Sequence, residues 1–383
     1  MTPMQRTSPA LVVGAALLVA ALVGTAATLI VGPRPPSLDG APVSGDEALA
    51  ADLLAALGPD GIRAASVAVV DLSAPEAARL RTAAVGVLVD GGAPAVPGTP
   101  FETGSVAKAL DGLLLATMVE AGEVALAEPV GDLVPGTPLA DGRATVAEMA
   151  THRSGLPRLP TSTLLGGLVS RWTGGDPYAG GPADVLAAAG RAGAPGGAEP
   201  VYSNLAAAAL GHALAARADR PWETLLAERV LAPAGMTSTT VAATPAEVPA
   251  GAARPVTAGG RDVAPWTARG WAPAGVGTWS TAEDLGHLTR GLLEGTAPGA
   301  TALDPVNDRP EREGEGLFWV IGAGEAAPEV VWHNGMTGGT SAFVGLDRAA
   351  GRAVVVLATT DRPVDAAALA LLADTPSDAE AAR

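Results

Sequence analysis

The chain has 383 residues, of which 48% are hydrophobic, a net charge of −16 and no cysteine. This length and apolar content allow a large buried core, which excludes a disordered protein. The acidic balance argues against nucleic acid as a partner, and the lack of cysteine excludes disulfides and thiolate chemistry. Lysine occurs only at Lys108, and no Gly-x-x-x-x-Gly-Lys surrounds it, which excludes a P-loop nucleotide site.

An uncharged apolar run covers residues 10–31. As a helix, at about 1.5 Å per residue, this run would span a hydrocarbon layer of roughly 30 Å. We therefore predict that residues 1–32 anchor the chain in the cell membrane, with the larger part on the outer, extracytoplasmic side. The small residues at 25–27 leave open a cleaved signal segment, which would make the protein secreted.

The rest of the chain divides into three parts by composition. A Pro-, Gly- and Ser-rich stretch predicts a linker over 33–45. A single large domain is predicted over 46–375, and residues 376–383 are predicted to form a disordered tail. The sequence shows no internal repeat, so it predicts one fold and not an array of units.

Strand-like and helix-like patterns are segregated along this domain. Runs rich in β-branched residues predict strands near both of its ends, at 64–72, 81–90, 317–321, 330–333, 340–346 and 352–359. Helical patterns predict helices at 46–57, 105–121, 201–231, 281–294 and 364–372. A polar stretch at 299–316 predicts an exposed loop. The order predicts an α+β fold: one antiparallel sheet built from both chain ends and flanked by helices, with an all-helical subdomain inserted over about 105–300.

Ser105 and Lys108 lie three residues apart in an apolar helical pattern, so both side chains share one helix face. A buried lysine loses its proton readily, whereas arginine stays charged. The only lysine of an arginine-rich chain is therefore a candidate general base for the neighbouring serine. The alternative is a serine N-cap followed by a surface lysine, but the apolar pattern around both residues favours the catalytic interpretation.

Two further segments carry polar groups in positions suited to a binding site. Tyr202 and Asn204 begin a predicted helix, where a tyrosine near a cation can relay a proton and an asparagine can hold an amide. His333 follows a predicted strand and precedes glycines that let backbone approach a ligand closely. Alone, the first segment is more typical of a core tyrosine with an asparagine cap, and the second is equally typical of a Gly-rich hairpin.

Together the three segments resemble the serine β-lactamase and penicillin-binding protein superfamily, in its class C β-lactamase-like branch. Ser-Val-Ala-Lys (105–108), Tyr-Ser-Asn (202–204) and His-Asn-Gly (333–335) match the three motifs of this branch in their order. Stretches that also resemble the branch lie between the motifs, at 149–156, 231–239 and 279–285. The resemblance covers roughly residues 46–375 and implies the β-lactamase/transpeptidase-like fold.

The resemblance also implies the chemistry. Ser105 would be acylated, with Lys108 as its general base, and water would hydrolyse the acyl-enzyme. Tyr202 would act as the proton partner near the leaving group. Asn204 would position the acyl amide of the substrate, which would be a small molecule or a peptide.

The third motif would complete the substrate-binding site. His333, Gly335 and Met336 would contact the substrate, and the N–H groups of Ser105 and Met336 would form the oxyanion hole. Relatives carry Lys-Thr-Gly or His-x-Gly at this motif. Histidine is mostly neutral near pH 7, so His-Asn-Gly favours a peptidase or an esterase over an efficient β-lactamase.

We therefore predict an extracytoplasmic serine hydrolase that acts on a D-alanyl peptide, a β-lactam or another ester. No cofactor and no metal are expected, since the four histidines (152, 212, 287, 333) lack metal-ligand spacing. His152 is predicted to be structural, and no Gly-x-Ser-x-Gly elbow is present. The alternative is a sensor on the same fold that binds penicillin or wall fragments without hydrolysing them. The sequence leaves the oligomeric state open.

Overall fold

The computed structural model describes residues 33–306, 314–322 and 330–374. The predicted membrane segment at 10–31 and the predicted disordered tail at 376–383 lie outside these ranges. Within them, no helix combines the length and the apolar character needed to cross a bilayer.

One antiparallel sheet of eight strands forms the centre of the domain. Its strands are β1 (Val43–Gly45), β2 (Ala64–Asp71), β3 (Leu80–Gly86), β7 (Gly314–Glu315), β8 (Val320–Ile321), β9 (Val330–Met336), β10 (Ser341–Asp347) and β11 (Arg352–Ala358). They lie in the order β1-β3-β2-β11-β10-β9-β8-β7. The first and last parts of the domain meet where β2 pairs with β11, placing Ala68 opposite Val355. The predicted α+β fold with a sheet built from both chain ends is confirmed.

Two helices from opposite chain ends, α1 (Glu47–Leu57) and α10 (Asp365–Asp374), cover one face of this sheet. The Asp46 carboxylate caps α1 by accepting the Leu49 N–H at 2.9 Å. Leu53 of α1 belongs to the same apolar cluster as Val67 and Val356 of the sheet. The other face packs against the inserted segment, which holds the larger of the two cores.

The inserted segment consists mostly of helices. They are α2 (Val106–Glu120), α3 (Val130–Leu133), α4 (Val146–Ala150), α5 (Thr161–Thr173), α6 (Pro182–Ala192), α7 (Asn204–Ala218), α8 (Trp222–Leu226) and α9 (Ala282–Glu294). The sequence predicts only helices here, and the structure adds two short strands, β5 (Thr240–Val241) and β6 (Thr278–Ser280). Strand β6 pairs with both β5 and β4 (Phe101–Glu102) in a small second sheet. Because β4 ends shortly before Ser105, this sheet fixes the approach of the chain to that serine.

The predicted helix at 201–231 is divided in the structure. Helix α7 ends at Ala218, and Asp219 adopts a left-handed conformation with φ of 52°. Pro221 then precedes α8, where its missing N–H costs no hydrogen bond. The prediction of one continuous helix is therefore wrong at this turn.

Two predicted irregular segments are partly ordered and buried. The predicted linker at 33–45 ends in β1, and Leu38 within it is 1% exposed. In the loop predicted to be exposed at 299–316, Ala302 and Leu303 are buried, and the Ala302 carbonyl accepts the Leu317 N–H at 2.8 Å. These few apolar residues dock on the core although their neighbours are polar, so local composition does not reveal their burial.

Candidate active site

Ser105 stands at the N-terminus of α2, a helix that is buried at every residue from Val106 to Ala116. Lys108 follows one turn later and is fully buried. Its Nζ lies 3.0 Å from the Ser105 Oγ and donates a hydrogen bond to the Ala274 carbonyl oxygen at 2.6 Å. The amine is therefore held within proton-transfer distance of the hydroxyl by both the helix and a second backbone segment.

The surroundings of Lys108 favour its neutral form. Burial is the largest cause and lowers the pKa of Lys108, and the charge of Arg158 lowers it further. Tyr202 and Asp111 oppose this effect by favouring the ammonium. With burial dominant, the amine can accept a proton from Ser105, which an arginine at this position could not do.

The Tyr202 ring lies close to the side chains of both Lys108 and Arg158. Its ring centroid is 5.0 Å from the Lys108 Nζ and 5.3 Å from the Arg158 Cζ. The ring of His152 packs beside it, with centroids 4.6 Å apart. The backbone that carries Tyr202 is anchored next door, where the Ser203 hydroxyl donates to the Pro157 carbonyl at 2.7 Å. These contacts hold the tyrosine beside the lysine.

His152 acts as a packing partner of the site in its neutral form. Its Nδ1 accepts the Ser203 N–H at 3.3 Å, so the proton of the neutral ring is on Nε2. Burial lowers the pKa of His152 to about 3, with smaller effects of Lys108 and His333. The residue has a left-handed backbone, with φ of 57°. The sequence predicts only a structural role for this residue and gives no sign that its ring contacts Tyr202.

Asn204 presents a hydrogen-bond acceptor to the site. Its Nδ2 donates to the Tyr178 hydroxyl at 3.4 Å, whereas its buried Oδ1 has no partner within the described part of the chain. Tyr178 packs against Trp266 and Trp271, with ring centroids 5.2 and 5.3 Å away. The free Oδ1 is suited to accept the N–H of a substrate amide, and the role of Asn204 in binding that amide stays a prediction.

His333 of β9 is a neutral group in this site. Its Nδ1 lies 2.6 Å from the Asn334 carbonyl oxygen, which can only accept, so Nδ1 carries the proton. Burial, as the largest cause, lowers the pKa of His333 to about 3, and Lys108 adds to this effect. The third motif therefore supplies no positive charge near pH 7.

The end of β9 lies directly against the N-terminus of α2. A Cβ atom on Gly335 would lie 2.0 Å from the Thr103 carbonyl oxygen and 2.8 Å from the Ser105 nitrogen. A Cβ on Gly104, whose φ is +51°, would lie 2.8 Å from the Met336 nitrogen. Only glycine at these two positions lets the two backbones touch.

The N–H of Met336 does not bond the neighbouring strand β10. The Thr337 N–H donates to the Thr340 carbonyl at 2.8 Å, and Met336 is paired with Ser341 one residue further along the ladder. Because hydrogen-bonded and non-bonded pairs alternate, the Met336 N–H points away from β10. The Met336 nitrogen also lies close to Gly104, the residue before Ser105. The arrangement is suited to an oxyanion hole made of the Ser105 and Met336 N–H groups.

Two buried carboxyl groups support the site, and the sequence patterns did not single out either. Glu102 accepts the Trp266 N–H at 2.7 Å and the Thr337 hydroxyl at 2.8 Å, which ties β4 to the turn after Met336. Asp111 lies one turn beyond Lys108 on α2, and its Oδ1 accepts the Trp222 Nε1–H at 2.8 Å. Burial, the largest cause, raises the pKa of each carboxyl to about 7.

We expect the Asp111 carboxyl to make the fold less stable as the pH rises from about 4 to 8. Its pKa is about 7 in the fold against an ordinary value of 3.8, so the folded state binds the extra proton between these values. The stabilisation that this proton gives to the folded state is complete below pH 3.8 and is lost as the pH rises through about 7. Asp111→Asn removes this titration and keeps an acceptor for Trp222. The melting temperature of Asp111→Asn minus that of the wild type should therefore be larger at pH 8 than at pH 5.

Asp46→Asn is the matched control for this measurement. Arg81, as the largest cause, lowers the pKa of Asp46 to about 2, so this group stays ionised throughout the range. The control should change the melting temperature by the same amount at both pH values. An Asp111→Asn difference that is equally independent of pH would contradict a raised pKa for Asp111.

Within the described ranges, no group of three or more His, Asp or Glu side chains is arranged to hold a metal ion. The polar groups of the site around Ser105 and Lys108 are an amine, a phenol, an amide and backbone N–H groups. These groups suit proton transfer and oxyanion binding, and so nucleophilic acyl transfer.

Comparison with known proteins identifies the family. A family model described as beta-lactamase matches residues 59–375. No match was found among curated protein sequences. The chain belongs to the beta-lactamase family, whose members are generally serine hydrolases.

Solved structures with the same fold are distant in sequence. A class C beta-lactamase from Rhodobacter sphaeroides superposes with a TM-score of 0.68 at 19% identity, covering 86% of this chain and 99% of its own. The D-alanine carboxypeptidase AmpC from Burkholderia cenocepacia superposes with a TM-score of 0.66 at 24% identity. This match covers 85% of the present chain and 99% of the carboxypeptidase. The octameric penicillin-binding protein homologue from Pyrococcus abyssi superposes with a TM-score of 0.68 at 21% identity. This match covers 87% of the present chain and 77% of the homologue. At these identities the likeness shows the shared fold.

Proposed function

We propose that this protein is a serine hydrolase that cleaves an ester or amide through an acyl-enzyme on Ser105. The observation that carries the proposal is the fully buried Lys108 amine, 3.0 Å from the Ser105 hydroxyl. The same site also offers a free amide acceptor on Asn204, and the backbones that carry the Ser105 and Met336 N–H groups are in contact. A buried amine is costly to the fold unless its neutral form is used, so its place beside a serine is best explained by catalysis.

Acylation follows from this geometry. Neutral Lys108 takes the proton of the Ser105 hydroxyl as its oxygen bonds to the substrate carbonyl carbon. The N–H groups of Ser105 and Met336 stabilise the carbonyl oxygen as it becomes negative. The bond to the leaving group then breaks, and a proton passes from Lys108 through Tyr202 to the departing oxygen or nitrogen.

Deacylation uses the same groups in the reverse direction. A water molecule replaces the leaving group, gives its proton to the Tyr202 and Lys108 pair, and attacks the ester carbon. The bond to the Ser105 oxygen breaks, the proton returns to that oxygen, and a carboxylic acid leaves. One titrating amine can thus serve both half-reactions.

The neutral His333 supports a peptidase or an esterase more than an efficient β-lactamase. A lysine at this motif would place a permanent charge opposite a substrate carboxylate, whereas His333 is buried and neutral. The similar structures include a D-alanine carboxypeptidase as well as β-lactamases. We therefore propose a D-alanyl peptide, a β-lactam or another ester as the substrate, with the β-lactam the poorest of the three.

Kinetic assays of Ser105→Ala test the proposal. The wild type should hydrolyse a nitrophenyl ester or a D-alanyl peptide, and Ser105→Ala should lose this activity by at least about 1,000-fold. Ser66→Ala, a buried serine in β2 that bonds the Ala83 carbonyl, is the control and should keep the activity. Undiminished hydrolysis by Ser105→Ala would overturn the proposal. Labelling of Ser105 by a fluorescent penicillin, without turnover of any substrate, would instead support a sensor.

We also propose that residues 10–31 anchor the protein and that the hydrolase domain is extracytoplasmic. The length and uncharged character of this segment support the proposal. In cell fractionation the full chain should sediment with membranes, and a protease added to intact spheroplasts should digest the domain. Release of a shortened chain into the medium would favour a cleaved signal, and a full-length chain in the cytoplasm would contradict both.

A further inference from the structure

A cleft of about 650 Å³ lies beside the candidate active site, between helix α5 and the segment 257–266. This volume is in the range of pockets that hold small organic ligands. Its apolar wall includes Leu159, Leu164, Leu168 and Trp266. None of these residues belongs to the motifs that identify the family.

Residues that line the cleft also contact side chains of the candidate active site. Tyr178 lines it and also bonds Asn204, and Arg158 lines it while contacting the ring of Tyr202. Gly338, in the turn that follows Met336, borders it on the other side. A substrate whose carbonyl carbon lies at Ser105 and whose acyl amide or chain passes Asn204 would therefore extend into this cleft.

Helix α5 exposes large apolar side chains towards the cleft. Leu164 and Leu168 are four residues apart, on one face of the helix, and both line the cleft. Their exposed fractions are 52% and 62%. Large apolar side chains exposed together mark a surface that gains free energy when an apolar group covers them.

We propose that this cleft binds the acyl part of the substrate and selects an extended apolar acyl chain. The inference rests on the proposed acyl-enzyme at Ser105 and names the class of acyl group that it carries. The carbonyl lies between Ser105 and Met336, and the chain runs past Tyr178 along Leu164 and Leu168. Short acyl groups such as acetyl leave this apolar wall in water.

A series of nitrophenyl esters with acetyl, butyryl, hexanoyl and octanoyl chains tests the inference. Each buried methylene contributes about 0.8 kcal/mol, so kcat/KM should rise by up to roughly fourfold per methylene until the cleft is full. The double substitution Leu164→Ser/Leu168→Ser should lower the ratio of octanoate to acetate kcat/KM by at least about fivefold.

Val169→Ser is the matched control on the same helix. Val169 is 62% exposed, as Leu168 is, but it does not line the cleft. This variant should keep the octanoate-to-acetate ratio of the wild type. Both variants lose exposed apolar side chains from α5, so a difference between them reports the cleft and not the stability of the helix.

The outcomes separate the inference from the proposed function. Turnover that depends on Ser105 but does not vary with chain length would overturn the acyl-chain cleft and leave the serine hydrolase intact. An equal change of the ratio in Val169→Ser would likewise contradict the cleft. If no ester or peptide is turned over or acylates Ser105, the proposed function fails as well.

Discussion

Lys108→Arg should place a permanent positive charge beside Ser105 and lose at least about 100-fold in kcat/KM, the usual contribution of a general base. Arginine cannot release its proton at any pH at which the protein is folded, so Ser105 would keep its own. In the wild type, burial lowers the pKa of Lys108, and its amine lies 3.0 Å from the serine hydroxyl. The measurement is the initial rate of ester hydrolysis over pH 6 to 10.

Lys108→Met serves as the control for folding. Methionine has nearly the length of lysine and suits a fully buried position without carrying a charge. It should fold with a normal circular dichroism spectrum and be as inactive as Lys108→Arg. If either folded variant hydrolysed the ester at near the rate of the wild type, Lys108 would not be the base.

Gly335→Ala should lower kcat by about 100-fold or more, the effect of losing one oxyanion donor. The new Cβ would lie 2.0 Å from the Thr103 carbonyl oxygen, so β9 must move away from α2. That movement takes the Met336 N–H out of line with Ser105. The measurement compares kcat for an ester with the rate of Ser105 acylation, and both should fall because both half-reactions form an oxyanion.

Gly181→Ala is the matched control for the added methyl group. A Cβ at Gly181 would meet no atom within 4 Å, and this glycine is the N-cap of α6. It should cost little stability and no activity. Unchanged kcat in Gly335→Ala would show that the contact between β9 and α2 does not position the oxyanion hole.

The sheet could be predicted because its strands carry a strong local signal. β2 and β11 are runs of alanine and β-branched residues, and their placement at opposite ends of the domain already implies that they meet. The order of the strands and the pairing of β1 at the edge could not be predicted. Val43–Gly45 is a three-residue strand next to prolines, and its pairing with β3 depends on tertiary contacts.

The candidate catalytic and substrate-binding residues could be named from the sequence, whereas most residues that position them could not. Ser105, Lys108, Tyr202, Asn204 and His333 stand in short motifs. The structure links the first three and His333 by direct contacts, and Asn204 lies two residues from Tyr202. Their chemical roles stay predictions until they are tested by experiment.

Supporting contacts arise from long-range packing, which leaves no local pattern. Glu102 meets Thr337 across 235 residues of sequence, and Asp111 meets Trp222 across 111. One feature of the sequence could have drawn attention to Tyr178: it is one of only two tyrosines, and it lies in the same insertion as Tyr202. Nothing in the sequence indicated its bond to Asn204.

The mass of the peptide that contains Ser105, followed over time after mixing with a nitrophenyl ester, tests the central claim most directly. A serine hydrolase of this design should show an acyl adduct on Ser105 that forms within the first turnover and then decays as acid is released. The adduct should be absent in Ser105→Ala and strongly reduced in Lys108→Arg. Hydrolysis that proceeds with no adduct on Ser105, or with the acyl group on another residue, would contradict the account.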